Sequence, residues 1–242
     1  MIALAAAFTS TVQDPDFWWH LRTGYWMLDH GRLPSQDLFT YTVGGHSWVD
    51  HEYLTEVILA YLNSWGGLLL ISIVFAVLTY LGFVFIYRTA PVGRRPYVIA
   101  GLGLALAALA GAPIWGPRAQ MITFTLTCLE LYWIASYLSG RSRLIYYLPL
   151  VVALWANLHG GFVIAFVLLA IAIGAEVVYW ILERVETRRF AHRRRVRTLV
   201  PVLLVSLVAS LTTPHGLSVS PTVTQTLLTP SQRPPNFACF TP

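Results

Sequence analysis

GGLLLISIVFAVLTYLGFVFIY, residues 66 to 87, contains no charged side chain. A bilayer's hydrocarbon core takes about 20 predominantly apolar helical residues, within a range of about 17 to 25, so this stretch predicts a transmembrane span. Working outward, residues 161 to 182 (GFVIAFVLLAIAIGAEVVYWIL) and 119 to 138 (AQMITFTLTCLELYWIASYL) meet the same requirement, the latter with Glu130 as a polar intruder. Residues 98 to 115, 144 to 158 and 198 to 213 are shorter. Each is bounded by arginines on one side and by Pro, Gly or His on the other, and each is predicted to span as well. The expected fold is all-α, a polytopic transmembrane helix bundle.

Composition agrees. The chain is 56% hydrophobic and 11% charged, where soluble domains carry roughly 25% charged residues. IALAAAF at residues 2 to 8 is too short to cross a bilayer and lacks the basic flank of a signal peptide. The expectation is that residues 1 to 10 are part of a first span and that the chain is a fragment of a larger fold. Residues 217 to 242 are rich in Pro, Thr and Ser and predict a poorly ordered tail. Cys128 and Cys239 cannot form a disulfide framework by count.

Orientation follows from charge. The chain has no lysine, and alternating the spans collects Arg88, Arg94, Arg95, Arg141, Arg143, Arg184, Arg188, Arg189, Arg193, Arg194, Arg195 and Arg197 on one side. Arg22, Arg32, Arg118 and Arg233 fall on the other. Because Lys and Arg in short loops stay cytoplasmic, residues 11 to 65 are expected outside the cytoplasm, in a bacterial inner membrane protein. The basic run at 184 to 197 then reads as a topology anchor in a cytoplasmic loop, and nucleic acid is not an expected partner.

The external side also holds the scarce polar chemistry. Asp14, Asp16, Asp29, Asp37, Asp50, Glu52 and Glu56 lie in the first external loop with His20, His30, His46 and His51. In DPDFWWHLRTGYWMLDHG, residues 14 to 31, Asp14 suits an N-cap, Pro15 the first helical position and Gly31 the stop. Phe17, Leu21 and Leu28 would line one face. Asp16, His20 and Thr23 would line another at i, i+4 and i+7. Trp18, Trp19 and Trp26 suit an interfacial helix. A second interfacial helix is expected from Asp50 to about Ser64, with Leu54, Ile58 and Leu62 or Tyr61 inward and His51 and Glu52 at its start.

Asp14 reads chiefly as a cap and Asp16 as the better catalytic candidate, beside His20. Arg118, with Gln120 two residues on, stands at an external helix end, where a guanidinium can grip phosphate bidentately. Asn157 and His159 precede Gly160 and Gly161 at a break between spans, and His215 lies in TPHG. No structural zinc spacing, Walker loop, GxGxxG or GxSxG occurs.

An acidic pair after a first span, interfacial helices and a multi-span bundle resemble the GT-C superfamily of membrane glycosyltransferases, which includes protein O-mannosyltransferases and the aminoarabinose transferase acting on lipid A. The chain is also similar to a group of bacterial polytopic proteins with a DPDxWWHL opening, an HGxxPxxDxF(S/T) segment, a W(V/N)xHEWL segment, a RxQ helix start and an ANLHGG turn. These correspond to residues 14 to 21, 30 to 40, 48 to 54, 118 to 120 and 156 to 161. The sequence departs from the better-known transferases in having VDHEYL where they carry a KPPL-type segment.

The resemblance implies a polyprenyl-phosphate-linked sugar donor in the lipid bilayer and a glycan, lipid or protein acceptor. Asp16 or Asp14 would act as general base with His20 beside them. Arg118, Gln120, Asn157, His159, His51, Glu52 and His215 would bind substrate, and Mg2+ or Mn2+ would suit the acidic pair. Two other classes remain open at this point: a transporter or flippase-like protein, and a noncatalytic membrane assembly subunit.

Overall fold

The computed structural model describes residues 14–41, 45–90, 94–112 and 114–214, without the side chains of 94–96. The expected partial span at 1 to 10, the tail from 217 and His215 lie outside the described residues. Helices are α1 (Phe17–His30), α2 (Tyr53–Thr89), α3 (Arg94–Ala110), α4 (Gln120–Leu138), α5 (Leu148–Leu158), α6 (Val163–Leu182) and α7 (Glu186–Ala209), with 3-10 turns at Leu144–Tyr147 and Gly160–Phe162. Three are long and apolar enough to cross a membrane: Tyr53–Thr89, Gln120–Leu138 and Gly160–Leu182. Among the described residues the only strand-like pairing is an isolated antiparallel bridge between Gln36 and Ser47.

Helix α1 ends as expected, at Gly31 with φ 61°, whose N–H returns to the Met27 carbonyl at 2.9 Å. Its start keeps the expected cap bond: Asp14 Oδ1 accepts the Asp16 N–H at 3.3 Å, while Asp16, immediately before the helix, is already in the αR region and makes no cap bond of its own; Asp14 Oδ2 lies 3.5 Å from Arg118 Nε. Phe17, Leu21 and Met27 bury the inner face. Gly24 lets this face meet α2 backbone to backbone, since a Cβ there would stand 2.0 Å from the Glu56 carbonyl oxygen.

Helix α2 is two helices joined at a kink. Gly66 (φ −151°, ψ 16°) and Gly67 (φ 63°, ψ −164°) leave helical geometry, and Gly67 sits where only glycine is unstrained. The expected interfacial helix is therefore the first part of α2. Its inward face is only partly the expected one: Leu54 and Leu62 pack against the core as expected, Thr55, Glu56, Leu59 and Ala60 are buried, and Ile58 and Tyr61 are exposed. A polar pair decides this, as the His20 imidazole reaches the Glu56 carboxylate (Nδ1 to Oε1, 2.7 Å).

Beyond the kink, Ile71, Phe75, Ala76, Thr79, Gly82 and Phe83 pack inward while Leu69, Ile73, Val77 and Leu81 stay exposed. That division suits one face against protein and one against lipid, where helices meet through small residues. Gly82 is such a residue, its missing Cβ leaving room for the Phe124 ring at 2.5 Å. Thr125 ties the helices, its hydroxyl donating to the Leu78 carbonyl at 2.8 Å.

A second packed group joins α4, α5, α6 and α7 around Trp155, Leu148, Val152, Leu169, Leu199 and Val202. Here the basic run is helix, not loop, from Glu186 onward. Glu176 of α6 is the reason. Its Oε2 lies 2.6 Å from His192 Nδ1 and its Oε1 3.3 Å from Arg195 Nη1, while Arg195 Nη2 donates to the Leu138 carbonyl at 2.6 Å. Residues 192 and 195 share one face of a helix, and the contact to Leu138 satisfies a carbonyl left open at the end of α4. Two chemically different ends result: the starts of α1, α2, α4 and α6 gather at one, and the arginine-rich turns at the other.

Candidate functional site

The break between α5 and α6 builds one wall of the site. His159 is extended (φ −164°, ψ 142°), and its Nδ1 accepts the Gly161 N–H at 2.9 Å. Thr123 Oγ1 lies 2.7 Å from the same nitrogen and accepts from Trp155 Nε1 at 3.0 Å. Gly161 is required by crowding, because a Cβ would stand 2.5 Å from Thr123 Oγ1. Since Nδ1 accepts a backbone N–H, the hydrogen of the neutral ring is on Nε2. It points at Glu52, 3.4 Å from Oε1.

Glu52 is the centre. His51 Nε2 is 3.5 Å from Oε1 and His20 Nε2 is 3.5 Å from Oε2, so three imidazoles converge on one carboxylate. His20 is shared, its Nδ1 lying 2.7 Å from Glu56. Behind it, Asp50 and Glu56 are 2% and 0% exposed, and neither Asp50 Oδ2 nor Glu56 Oε2 has a hydrogen-bond partner. Burial, with the charges of Asp50 and Glu52 near it, disfavours the ionised form of Glu56. Asp50 Oδ1 also accepts the Glu52 N–H at 3.0 Å, fixing the turn that aims Glu52.

The surroundings set the charges. Burial raises the Glu52 carboxyl pKa, but the His51 hydrogen bond and the fields of His159, His20 and His51 outweigh it and hold Glu52 below its ordinary value. The hydrogen bond to Glu52 raises His51, against its own burial. Burial lowers His20 despite the carboxylates around it, and burial lowers His159 likewise. The assembly is an ionised carboxylate beside one imidazole that keeps its proton readily and two that give theirs up.

Most of the residues singled out from sequence fall at this end. Asp14 holds Arg118, whose side chain is 29% exposed. Asp16 is exposed at the start of α1, its charge acting on His20. Asn157 Oδ1 accepts from Tyr53 OH at 2.7 Å, joining the α5 end to the α2 start, while Gln120 is exposed. Asp50, Glu56, Thr123 and Tyr53 were not anticipated as site residues. Only Asp50 and Glu56 left a trace in the sequence, as acids flanking Glu52.

Next to His20, whose ring lies tilted against Trp19 at 3.7 Å between centroids, a cavity of about 520 Å³ is lined by Trp19, Phe39, Thr40, His46 and Trp48. The acidic pair does not present two open carboxylates to a cation, because Asp14 is engaged on both oxygens. Among the described residues no group of three or more His, Cys, Asp or Glu side chains is arranged to hold a metal ion. The molecule is thus an all-helical protein with membrane-spanning potential and a histidine–carboxylate centre at one helix end. Compared with known protein families, curated proteins and solved structures, the chain matches none.

Proposed function

We propose that the chain is a membrane glycosyltransferase of the GT-C kind, working at the extracytoplasmic face of a bacterial inner membrane with a polyprenyl-phosphate sugar as donor. One observation carries the reading. The Arg118 guanidinium, held by Asp14 yet partly open, stands at the start of the helix whose Thr123 positions His159 against Glu52. Asp14, which holds Arg118, also acts on His20 through its charge, which brings a phosphate-binding cation near a proton-accepting cluster.

The chemistry is a single displacement. Asp16, exposed and beside His20, takes the proton of an acceptor hydroxyl as its oxygen bonds to the anomeric carbon. The bond from that carbon to the donor phosphate oxygen breaks, and its electron pair leaves with the polyprenyl phosphate. Arg118 and the protonated His51 offset the charge that grows there. Glu52 keeps His20, His51 and His159 in register. The aromatic cavity beside Trp19 and Trp48 suits the apolar face of an acceptor sugar.

The test uses the chain in vesicles with a radiolabelled polyprenyl-phosphate sugar and a membrane extract as acceptor source. Asp16→Asn should slow transfer by about 10² or more, the usual contribution of a general base, while donor binding persists. Arg118→Ala should weaken donor binding first. Transfer by Asp16→Asn at the wild-type rate overturns the reading.

A further inference from the structure

At the arginine-rich end a half-open cavity of about 420 Å³ lies between the turn after α4 and the first turns of α7. Its polar lining comes from Ser142, Arg143, Arg194 and Arg195, with Tyr146 and Phe190 beside them. The turn is rigid. Gly140 takes φ 74°, and Arg141 N and Ser142 N both donate to the Ser136 carbonyl, at 2.8 and 3.3 Å. Ser142 Oγ accepts the Leu144 N–H at 3.1 Å, so its own hydrogen remains to be donated.

The arginines differ in state. Arg195 is committed to Glu176 and the Leu138 carbonyl. Arg143 and Arg194 are exposed, and no ion pair engages either among the described residues. No acid compensates them at close range: Glu176 is already shared by His192 and Arg195, and Glu183 turns back to the Val185 N–H at 3.0 Å. Two guanidiniums and a hydroxyl facing one cavity, with nothing anionic to answer them, call for an anion with several acceptor oxygens.

The rim identifies its source. Tyr146 and Phe190, exposed at 55 and 65%, line the cavity, and Leu144 and Tyr147, exposed at 42 and 58%, adjoin Arg143 and Tyr146 in the same turn, at the end of helices whose outer faces are apolar. Tyrosines at such a level belong to the membrane interface, and basic pockets between helix ends there bind lipid head groups.

We propose that this cavity is a binding site for the phosphate of an anionic glycerophospholipid, gripped by Arg143 and Arg194 with Ser142, its acyl chains running along the Leu144, Tyr146 and Phe190 rim. Binding ties the turn after α4 to α7, reinforcing from outside what Arg195 does from within.

The chain in detergent micelles, titrated with phosphatidylglycerol and followed by native mass spectrometry and thermal unfolding, tests this. Phosphatidylcholine and inorganic phosphate serve as parallel arms. Wild type should bind phosphatidylglycerol and unfold at higher temperature in its presence. Arg143→Ala with Arg194→Ala should lose roughly thirtyfold in affinity, about fivefold per arginine, with an unchanged lipid-free unfolding temperature. Arg88→Ala with Arg184→Ala, which removes the same charge from the same end, should bind as wild type. An equal loss in that control pair overturns the site in favour of diffuse charge. Stabilisation by inorganic phosphate with none added by the lipid overturns the lipid as occupant.

Discussion

Both ends of the bundle bury carboxylates, and they treat them in opposite ways. At the arginine-rich end Glu176 is answered on each oxygen, by His192 and by Arg195, and the ion group pins three helices. At the other end Glu52 and Glu56 meet imidazoles and Asp50 a backbone N–H, no arginine answers any of the three, and Asp50 Oδ2 and Glu56 Oε2 lack donors. A fully answered charge specifies structure. A cluster short of cations is costly to bury, and this one sits at the mouth of a break between helices.

The largest expected effect breaks the structural end. Arg195→Ala removes the guanidinium from Glu176 and the donor from the Leu138 carbonyl, and should cost about 3 kcal/mol in thermal unfolding, the lower range for breaking a buried pair. Next, Gly24→Ala drives a Cβ into the Glu56 carbonyl. It should cost about 2 kcal/mol by overpacking, and by pushing α1 from α2 it should lengthen the His20 to Glu56 contact, visible in the imidazole NMR shifts. Asp50→Asn should do the reverse of Arg195→Ala. The amide removes a charge near Glu56 and brings an N–H to a place where buried carboxylate oxygens lack donors, so stability should stay level or rise by about 1 kcal/mol; a loss as large as that of Arg195→Ala would erase the contrast between the two ends.

The smallest effect is the most diagnostic. Against the ordinary 6.5, His51 should titrate higher and His20 and His159 lower in an NMR titration. Glu52→Gln should lower all three, because Glu52 raises each of them. The sign for stability follows from the shifts. His20 and His159 contribute stability that is present above 6.5 and lost as pH falls through 6.5 toward their folded values. His51 contributes stability present below 6.5 and lost as pH rises through its folded value.

Much of the scaffold was legible because it rests on local patterns. The 66 to 87 stretch, the Gly31 stop and the Gly66–Gly67 entry follow from apolar length and glycine geometry. The gathering of histidines at one end was legible from counting spans. What local pattern misassigned depended on partners distant in the chain. Local pattern accounted for one Asp14 oxygen, which bonds the Asp16 N–H, and missed the other, which lies 3.5 Å from Arg118 Nε far along the sequence. The inward face of α2 looked apolar until His20 and Asp50 made Glu56 the buried residue. The basic run looked like a loop because Glu176 of the preceding helix was not weighed as its anchor.

By itself, then, the sequence determined the helical class, three segments with the length and apolarity to cross a membrane, and the separation of an acid- and histidine-rich stretch at 14–56 from an arginine run at 184–197, since each is a property of composition and spacing along the chain. Only the tertiary structure decided which acids act together. Glu52 is one carboxylate among several in a loop until α1, α2 and the α5–α6 break bring His20, His51 and His159 to it. Electrostatic and hydrogen-bond energies depend on distances of a few ångströms, and those distances exist only once helices far apart in sequence are packed.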